Sequence, residues 1–174
     1  NNKKIAQKAF YLTNQAKDDP INFIHNEVGY NFRMTNLHAA IGLAQIENID
    51  KILKKKKNIN LAYAKLYNSH DKLQILNAPT YSNSNYWMNI LKFDKFNKIR
   101  MNEIVSFFKK YSIEIRPVWH PNHLQKPYKN CQKFKIDNAL GLVNNSICLP
   151  SSFNLKYTDI KKIYNVTLKY LNNI

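Results

Sequence analysis

Two helical stripes of apolar residues, followed by several short alternating runs, set out the plan of this chain. Ile5, Ala6, Ala9, Phe10 and Leu12 fall at helical spacing and predict a helix from about Lys3 to Gln15. Asp18-Asp19-Pro20 ends that pattern, because the residue before a proline avoids the right-handed helical region. Residues 17–35 have no period and read as a long loop, which is uncommon without a function. The second stripe is Leu37, Ile41, Ala44, Ile49, Ile52, Ile59, Tyr63 and Leu66. With Thr35 or Asn36 as cap and no proline inside, it predicts one helix running on to about Tyr67, long enough to act as a spine between two lobes. The small side chains of Ala39-Ala40-Ile41-Gly42 suit a close approach, either by a second subunit or by another helix of the same chain.

Beyond that helix the period shortens. Residues 68–84 are irregular apart from a short strand near Leu73–Leu76, and Tyr86–Phe93 reads as a strand because aromatic and β-favouring residues dominate it. A helix opening at Asn97 or Lys98 and running to about Tyr111 places Met101, Ile104, Val105 and Phe108 on one face. Ile113–Val118 alternates apolar and charged residues as far as Pro117. Residues 119–137 form a second long loop, followed by a helix over Asn138–Val143, a strand at Ile147–Leu149 and a terminal helix capped by Thr158. The second lobe is therefore strand, helix, strand, loop, helix, strand, helix.

Composition narrows the function classes. The chain has 174 residues, a formal net charge of +16 and two cysteines, Cys131 and Cys148, without C-x-x-C spacing. No apolar run approaches a bilayer span and no signal-peptide pattern is visible, so a reducing, cytoplasmic setting is expected. The missing initiator methionine suggests a truncated or processed chain. The charge raises the alternative of a basic nucleic-acid-binding or assembly module. Its lysines are scattered, however, and the run Lys54–Lys57 falls within a helical pattern, where it forms a solvated face. A modest attraction for polyanions, nucleoside diphosphates included, remains.

Two loops concentrate polar chemistry. His25–Asn36 runs into a helix N-terminus, where backbone N–H groups and the positive dipole end favour an anion. Arg33 offers a forked guanidinium, Asn31 an amide and Tyr30 a hydroxyl, which makes this a candidate phosphate or carboxylate site as well as a plain polar cap. The second loop, Trp119–Tyr128, is aromatic and stiffened by Pro121 and Pro127, as suits a specificity loop. Other pairings are weaker. Pro121 lies between His120 and His123, so they lack the helix a paired metal site needs, and no metal is expected. Nothing around Cys131 marks a nucleophile, and His25 with Glu27 reads more simply as a surface pair than as an acid–base couple.

Glu27-Val28-Gly29-Tyr30-Asn31-Phe32-Arg33-Met34-Thr35-Asn36, followed by Ala39–Gln45, resembles the G-Y-N-x-R-M-[ST]-N segment of the DegT/DnrJ/EryC1/StrS family. Arg116-Pro117-Val118-Trp119-His120-Pro121-Asn122-His123-Leu124-Gln125-Lys126-Pro127-Tyr128 is similar to that family's R-P-x-W-x-P-x-H-L-Q-x-x-Y stretch, and Ile147–Ser152 to its closing L-P-S-S/G motif. One departure stands out: Ser112 occupies a position where the family usually has glycine.

The resemblance implies an α/β chain, the C-terminal part of a fold-type-I transferase dependent on pyridoxal 5'-phosphate, with a long spine helix and a small, mainly antiparallel sheet packed with helices. Residues 1–36 would end the large cofactor domain, 37–70 would form the linking helix and 71–174 the small C-terminal domain. It implies a homodimer in which Asn31, with Arg33 and Tyr30 beside it, binds the cofactor phosphate of the partner. It assigns His123, Gln125 and Tyr128 to a nucleotide-sugar pocket, with Arg116 and Trp119 either touching substrate or holding the loop. The reaction implied converts a nucleotide-linked 4-keto-6-deoxy sugar to its 4-amino sugar, with glutamate as amino donor, for bacterial surface glycans. No specific nucleic acid and no membrane are implied as partners. In the family the cofactor-bonding lysine lies upstream of the opening helix, and no lysine here, Lys3 and Lys4 included, stands in that motif. The chain alone is therefore expected to be inactive, as a fragment or as a non-catalytic remnant.

Overall fold

The structure, a computed structural model, describes residues 1–94 and 100–173. It divides into two compact units, residues 1–49 and 50–174.

In the first unit, α1 (Lys3–Thr13) starts at Asn2, whose Oδ1 accepts from the N–H groups of Lys4 and Ile5. The expected structureless loop after it contains a small antiparallel hairpin of β1 (Lys17–Asp19) and β2 (Ile24–His25). Its turn is built by Asp19, whose Oδ1 accepts from Ile21 N at 2.8 Å and Asn22 N at 3.0 Å, an arrangement that the Asp-Asp-Pro signal did not resolve. α2 (Asn36–Glu47) starts at Thr35, whose Oγ accepts from His38 N at 3.2 Å.

The uninterrupted helix expected from residue 35 or 36 to about 67 is instead two helices, α2 and α3 (Ile49–Tyr67). Asn48 caps the end of α2, its side-chain amide donating to Ala44 O at 2.9 Å and its N–H to Gln45 O. A short amide that bonds the backbone of the preceding turn competes with continuation of the helix, and an apolar stripe does not register that competition.

The second unit is organised around a sheet ordered β3-β4-β6-β5, antiparallel throughout: β3 (Leu73–Ile75), β4 (Asn89–Phe93), β6 (Ser146–Leu149) and β5 (Arg116–Pro117). Its core face carries Leu73, Ile75, Leu91, Phe93, Ile147 and Leu149. Against these pack Ile59, Tyr63 and Tyr67 of α3, Ile104 and Phe108 of α4 (Met101–Lys109), and Ile160, Ile163, Val166 and Tyr170 of α6 (Tyr157–Leu171). The helical spacings of three or four residues and the strand spacing of two bring one row from each element inward. α5 (Asp137–Asn145) lies against β4 and β6 and adds no residue to this cluster, whereas Ser146 and Cys148, alternating with Ile147 and Leu149, are also buried. Both faces of β6 are therefore covered, and the small antiparallel sheet packed with helices is as expected.

One polar network lies on the core face. Asn60 Nδ2 of α3 donates to Asn89 Oδ1 at 3.0 Å, and Asn89 Nδ2 donates to Ser151 Oγ at 2.9 Å. Ser151 Oγ also accepts from Asn89 N at 3.0 Å and donates to Leu149 O at 3.0 Å. Nearby, Tyr63 OH donates to Pro150 O at 3.0 Å and Lys56 Nζ to Ser151 O at 2.9 Å. Burial pushes the Tyr63 hydroxyl far above the usual phenol range, so it remains a donor. Together these bonds hold the turn 149–152 against α3 and the start of β4.

Other boundaries differ from the sequence pattern for local reasons. β4 begins at Asn89, not Tyr86, because Ser84 Oγ and Asn85 Oδ1 capture the N–H groups of Tyr86 and Trp87, each at 3.0 Å, and Tyr86 turns to φ 51°. β5 is only two residues long, and Pro117 offers no N–H for further pairing. α6 starts before Thr158: the N–H of Lys156 donates to Asp159 Oδ2 at 2.9 Å, which leaves Thr158 inside the first turn. The opening of the helix expected at Asn97 or Lys98 lies outside the described residues.

Ser112 adopts φ 57°, in the left-handed region that a Cβ disfavours. Ser112→Gly is expected to raise stability by up to about 1 kcal/mol, the relief being partly offset by glycine's larger unfolded-state entropy; an unchanged denaturation midpoint would contradict this. Asn89→Leu leaves the Asn60 amide without its buried acceptor and is expected to cost about 1–3 kcal/mol, read as a lower midpoint at constant denaturant slope.

Candidate cofactor and substrate site

Residues 30–32 run back along the end of α1. Tyr30 N donates to Leu12 O at 2.7 Å, Gln15 N to Tyr30 O at 3.0 Å and Phe32 N to Thr13 O at 3.2 Å, and Asn31 forms an antiparallel bridge with Asn14. This approach depends on Gly29. A Cβ there would stand 2.2 Å from the carbonyl carbon of Gln15 and 2.3 Å from Ala16 N, closer than any side chain is tolerated. The Tyr30 and Phe32 rings stack with centroids 5.2 Å apart, so the intervening Asn31 side chain goes to the opposite side of this short extended segment.

The base of the loop is pinned by Asp18, whose carboxylate accepts from Asn26 N at 2.7 Å and from Tyr11 OH at 3.0 Å. The Asn26 N–H, foremost, holds this carboxyl below the usual aspartate range. His25 and Glu27 do not pair with each other: His25 Nδ1 lies 2.7 Å from Gln15 O, and Glu27 forms an ion pair with Lys8. The side chains of Asn31 and Arg33 are exposed, with no hydrogen bond or ion pair among the described residues. An amide and a guanidinium left free on a braced backbone, just before the N-terminus of α2, form a donor set that fits a phosphate monoester.

The second unit carries the other candidates. Arg116 lies on edge strand β5, and its Nε and an Nη donate to Glu114 Oε1 at 3.1 and 2.6 Å, so much of its charge is already matched. It lines an open cleft of about 460 Å³ together with Met88, Glu114, Ser152, Asp159 and Lys162. Trp119 pairs with Trp87, ring centroids 5.4 Å apart. His123 lies in a single 3-10 turn, Asn122–Leu124, with Nε2 buried and unpartnered among the described residues. Gln125 follows, its N–H donating to Asn122 O at 2.9 Å, and Tyr128 closes a second such turn, Lys126–Tyr128, with its ring half exposed. None of His123, Gln125 and Tyr128 lines the cleft that Arg116 does. Cys131 is exposed, and Cys148 is buried with its thiol pushed up by desolvation.

Sequence reasoning assigned no site role to Trp87, and it placed Trp87 inside a strand. The signal available was the Ser-Asn cluster before it, whose side chains take the backbone out of the strand. The residues behind Ser151 were missed because Asn60 lies in a helical stripe that gives no hint of an inward amide.

The fold is that of the C-terminal part of the aminotransferases it superposes on. Over the whole of this chain and 48% of its own, the Helicobacter pylori aminotransferase PseC, involved in pseudoaminic acid biosynthesis, superposes with a TM-score of 0.79 at 18% identity. The profile of the DegT/DnrJ/EryC1/StrS aminotransferase family matches residues 1–167, and the chain belongs to that family. It is 33% identical to GDP-perosamine synthase of Vibrio cholerae over 98% of the chain and 46% of that enzyme. It is 26% identical to EpsN of Bacillus subtilis, named as a pyridoxal phosphate-dependent aminotransferase, over 100% of the chain and 45% of that protein. The chain thus spans less than half the length of these relatives.

Because the carboxyl of Asp18 is held low in the folded state, its contribution to stability is fully present above the ordinary aspartate range. It is lost as pH falls through the folded value. Protection of the Asn26 amide proton, its exchange rate relative to an unstructured peptide at the same pH, is expected to hold to a pH below the ordinary aspartate range and then to fall; in Asp18→Asn this acid-dependent loss of protection disappears.

Proposed function

We propose that this chain is the C-terminal part of a pyridoxal 5'-phosphate-dependent aminotransferase that converts a nucleotide-linked 4-keto-6-deoxy sugar to its 4-amino sugar for bacterial surface polysaccharide. The observation that carries the reading is the braced loop at Gly29, which leaves the Asn31 amide and the Arg33 guanidinium without a partner among the described residues, beside a helix N-terminus in a chain of this family. The names of relatives, among them a GDP-perosamine synthase and a dTDP-4-amino-4,6-dideoxy-D-glucose transaminase, support a nucleotide sugar as substrate. Glutamate is the proposed amino donor and the cytoplasm the proposed setting; among the described residues no helix is long and apolar enough to cross a membrane.

In the proposed enzyme Asn31 and Arg33, with Tyr30 at their side, hold the cofactor phosphate of a second subunit. Bound there, the cofactor supplies an electron sink that lets an amino group pass from donor to sugar. The residues of this chain bind and orient: Arg116, Trp119, His123, Gln125 and Tyr128 border the nucleotide-sugar pocket. Residues 1–36 end the large domain, residues 37–70 link the domains and residues 71–174 form the small domain. The homodimer is supported by the surface of the first unit. α2 buries no residue, Phe32 and Met34 are 74 and 77% exposed, and a Cβ on Gly42 would meet nothing within 4 Å. Of the two users that small residues 39–42 allowed, a second subunit is the one proposed, since among the described residues nothing lies within 4 Å of a Cβ on Gly42.

The basic nucleic-acid module and the non-catalytic remnant remain the alternatives, and one experiment separates them. The holoenzyme is assayed for a 4-amino sugar from a GDP-linked 4-keto-6-deoxy sugar and glutamate, beside the 174-residue chain alone. Turnover is expected from the holoenzyme, and none from the chain alone, which has no lysine in the cofactor-bonding motif. Asn31→Ala is expected to weaken cofactor retention about tenfold or more, read from cofactor absorbance after dialysis. Salt-sensitive binding to nucleic acid without amino-sugar formation would favour the basic module, and a holoenzyme that binds cofactor and makes no amino sugar would favour the remnant.

A further inference from the structure

Trp87 and Trp119 are the only tryptophans in the chain, and they are brought together from two separate loops. Trp87 precedes β4 and Trp119 follows β5. Their rings are 5.4 Å apart with planes 33° from parallel, yet they remain 62 and 54% exposed. Indoles that pair to hide from water would bury more of their surface; this pair leaves over half of each residue's surface exposed. The position of Trp87 is imposed locally. Ser84 and Asn85 take the N–H groups of Tyr86 and Trp87, and Tyr86 adopts φ 51°, a conformation unfavourable to an aromatic residue. Both loops also lead to one cleft, since Met88, next to Trp87, and Arg116, three residues before Trp119, line it together. Lys162 lines it as well and makes no ion pair among the described residues.

We propose that Trp87 and Trp119 form a single aromatic platform on which the nucleobase of a nucleoside diphosphate stacks, with Trp87 as a further binding residue for the nucleotide-linked substrate. This rests on the nucleotide-sugar reading above and adds to it the surface that takes the base. A π-face accepts any base, so the platform contributes affinity more than choice among bases. The ring of Trp87 touches the base, and Trp119 backs it and fixes its plane.

This chain has no other tryptophan, so the part of the holoenzyme's indole emission that Trp87→Phe and Trp119→Phe remove is the platform's own, and that part is followed. The holoenzyme is titrated separately with GDP, UDP, dTDP and inorganic pyrophosphate, with indole emission and calorimetry read in parallel. At least one nucleoside diphosphate is expected to quench the emission, and pyrophosphate is not. Trp87→Ala is expected to bind that nucleotide roughly tenfold to a hundredfold more weakly, while Trp87→Phe retains most of the affinity. Both side chains are largely exposed, so the substitutions spare the core, and circular dichroism checks the fold. Nucleotide binding by calorimetry with unchanged emission and unchanged Trp87→Ala affinity would overturn the platform and leave the aminotransferase reading intact. Indoles closed to acrylamide in the ligand-free holoenzyme would overturn it in favour of cover by another polypeptide. No binding of any nucleoside diphosphate or nucleotide sugar would remove both readings.

Discussion

The second unit depends on a buried amide. Asn89 stands at the first position of β4, on the core face, and its side chain reaches α3 on one side and the turn after β6 on the other. A buried polar side chain is costly unless its bonding groups are matched, and here Asn60 and Ser151 do so. The match requires α3, β4 and the turn 149–152 to sit in one arrangement, which an apolar contact of similar area would enforce less strictly. Tyr63 and Lys56, bonded to Pro150 O and Ser151 O, tighten the same joint. The cleft lined by Met88, Arg116 and Ser152 borders this fixed joint.

The first unit follows a different logic. Ala16 is its only buried residue, and its backbone is held by the close passage of Gly29 past Gln15 and Ala16 and by carboxylates that gather N–H groups. Most of its large apolar side chains face outward, with Val28 81% exposed. A hydrophobic surface of this extent on so small a unit is the mark of polypeptide meant to be covered. That surface and the donors of Asn31 and Arg33, unpaired among the described residues, belong to one braced segment, which leaves its polar and its apolar side chains outward.

The basic charge is secondary to these arrangements. The Arg116 guanidinium is already met by Glu114, and Lys8 by Glu27, whereas Lys162 at the cleft makes no ion pair among the described residues. Where individual cations are placed decides more about an anionic substrate than the net figure of +16 does.

Periodicity carried most of the element types. The stripe positions Ile59 and Tyr63 and the spacing of Ile160, Ile163 and Val166 each name an inward face, because burial of one row is what a 3.6-residue period records, whereas Leu37, Ile41 and Ile49 of the same stripe lie exposed. Motif chemistry likewise drew attention to the loops at Asn31 and Arg116. What the pattern could not hold was competition between a side chain and the backbone beside it. Asn48 ends a helix, Ser84 and Asn85 shorten a strand, and Asp159 moves the start of α6. Nor could it hold pairings across long separations. That Asn60 meets Asn89, that Gly29 passes Ala16 at contact distance, and that Trp87 faces Trp119 follow only once the chain is folded. Spacing along a sequence records which way a side chain points, but not which distant residue it will meet.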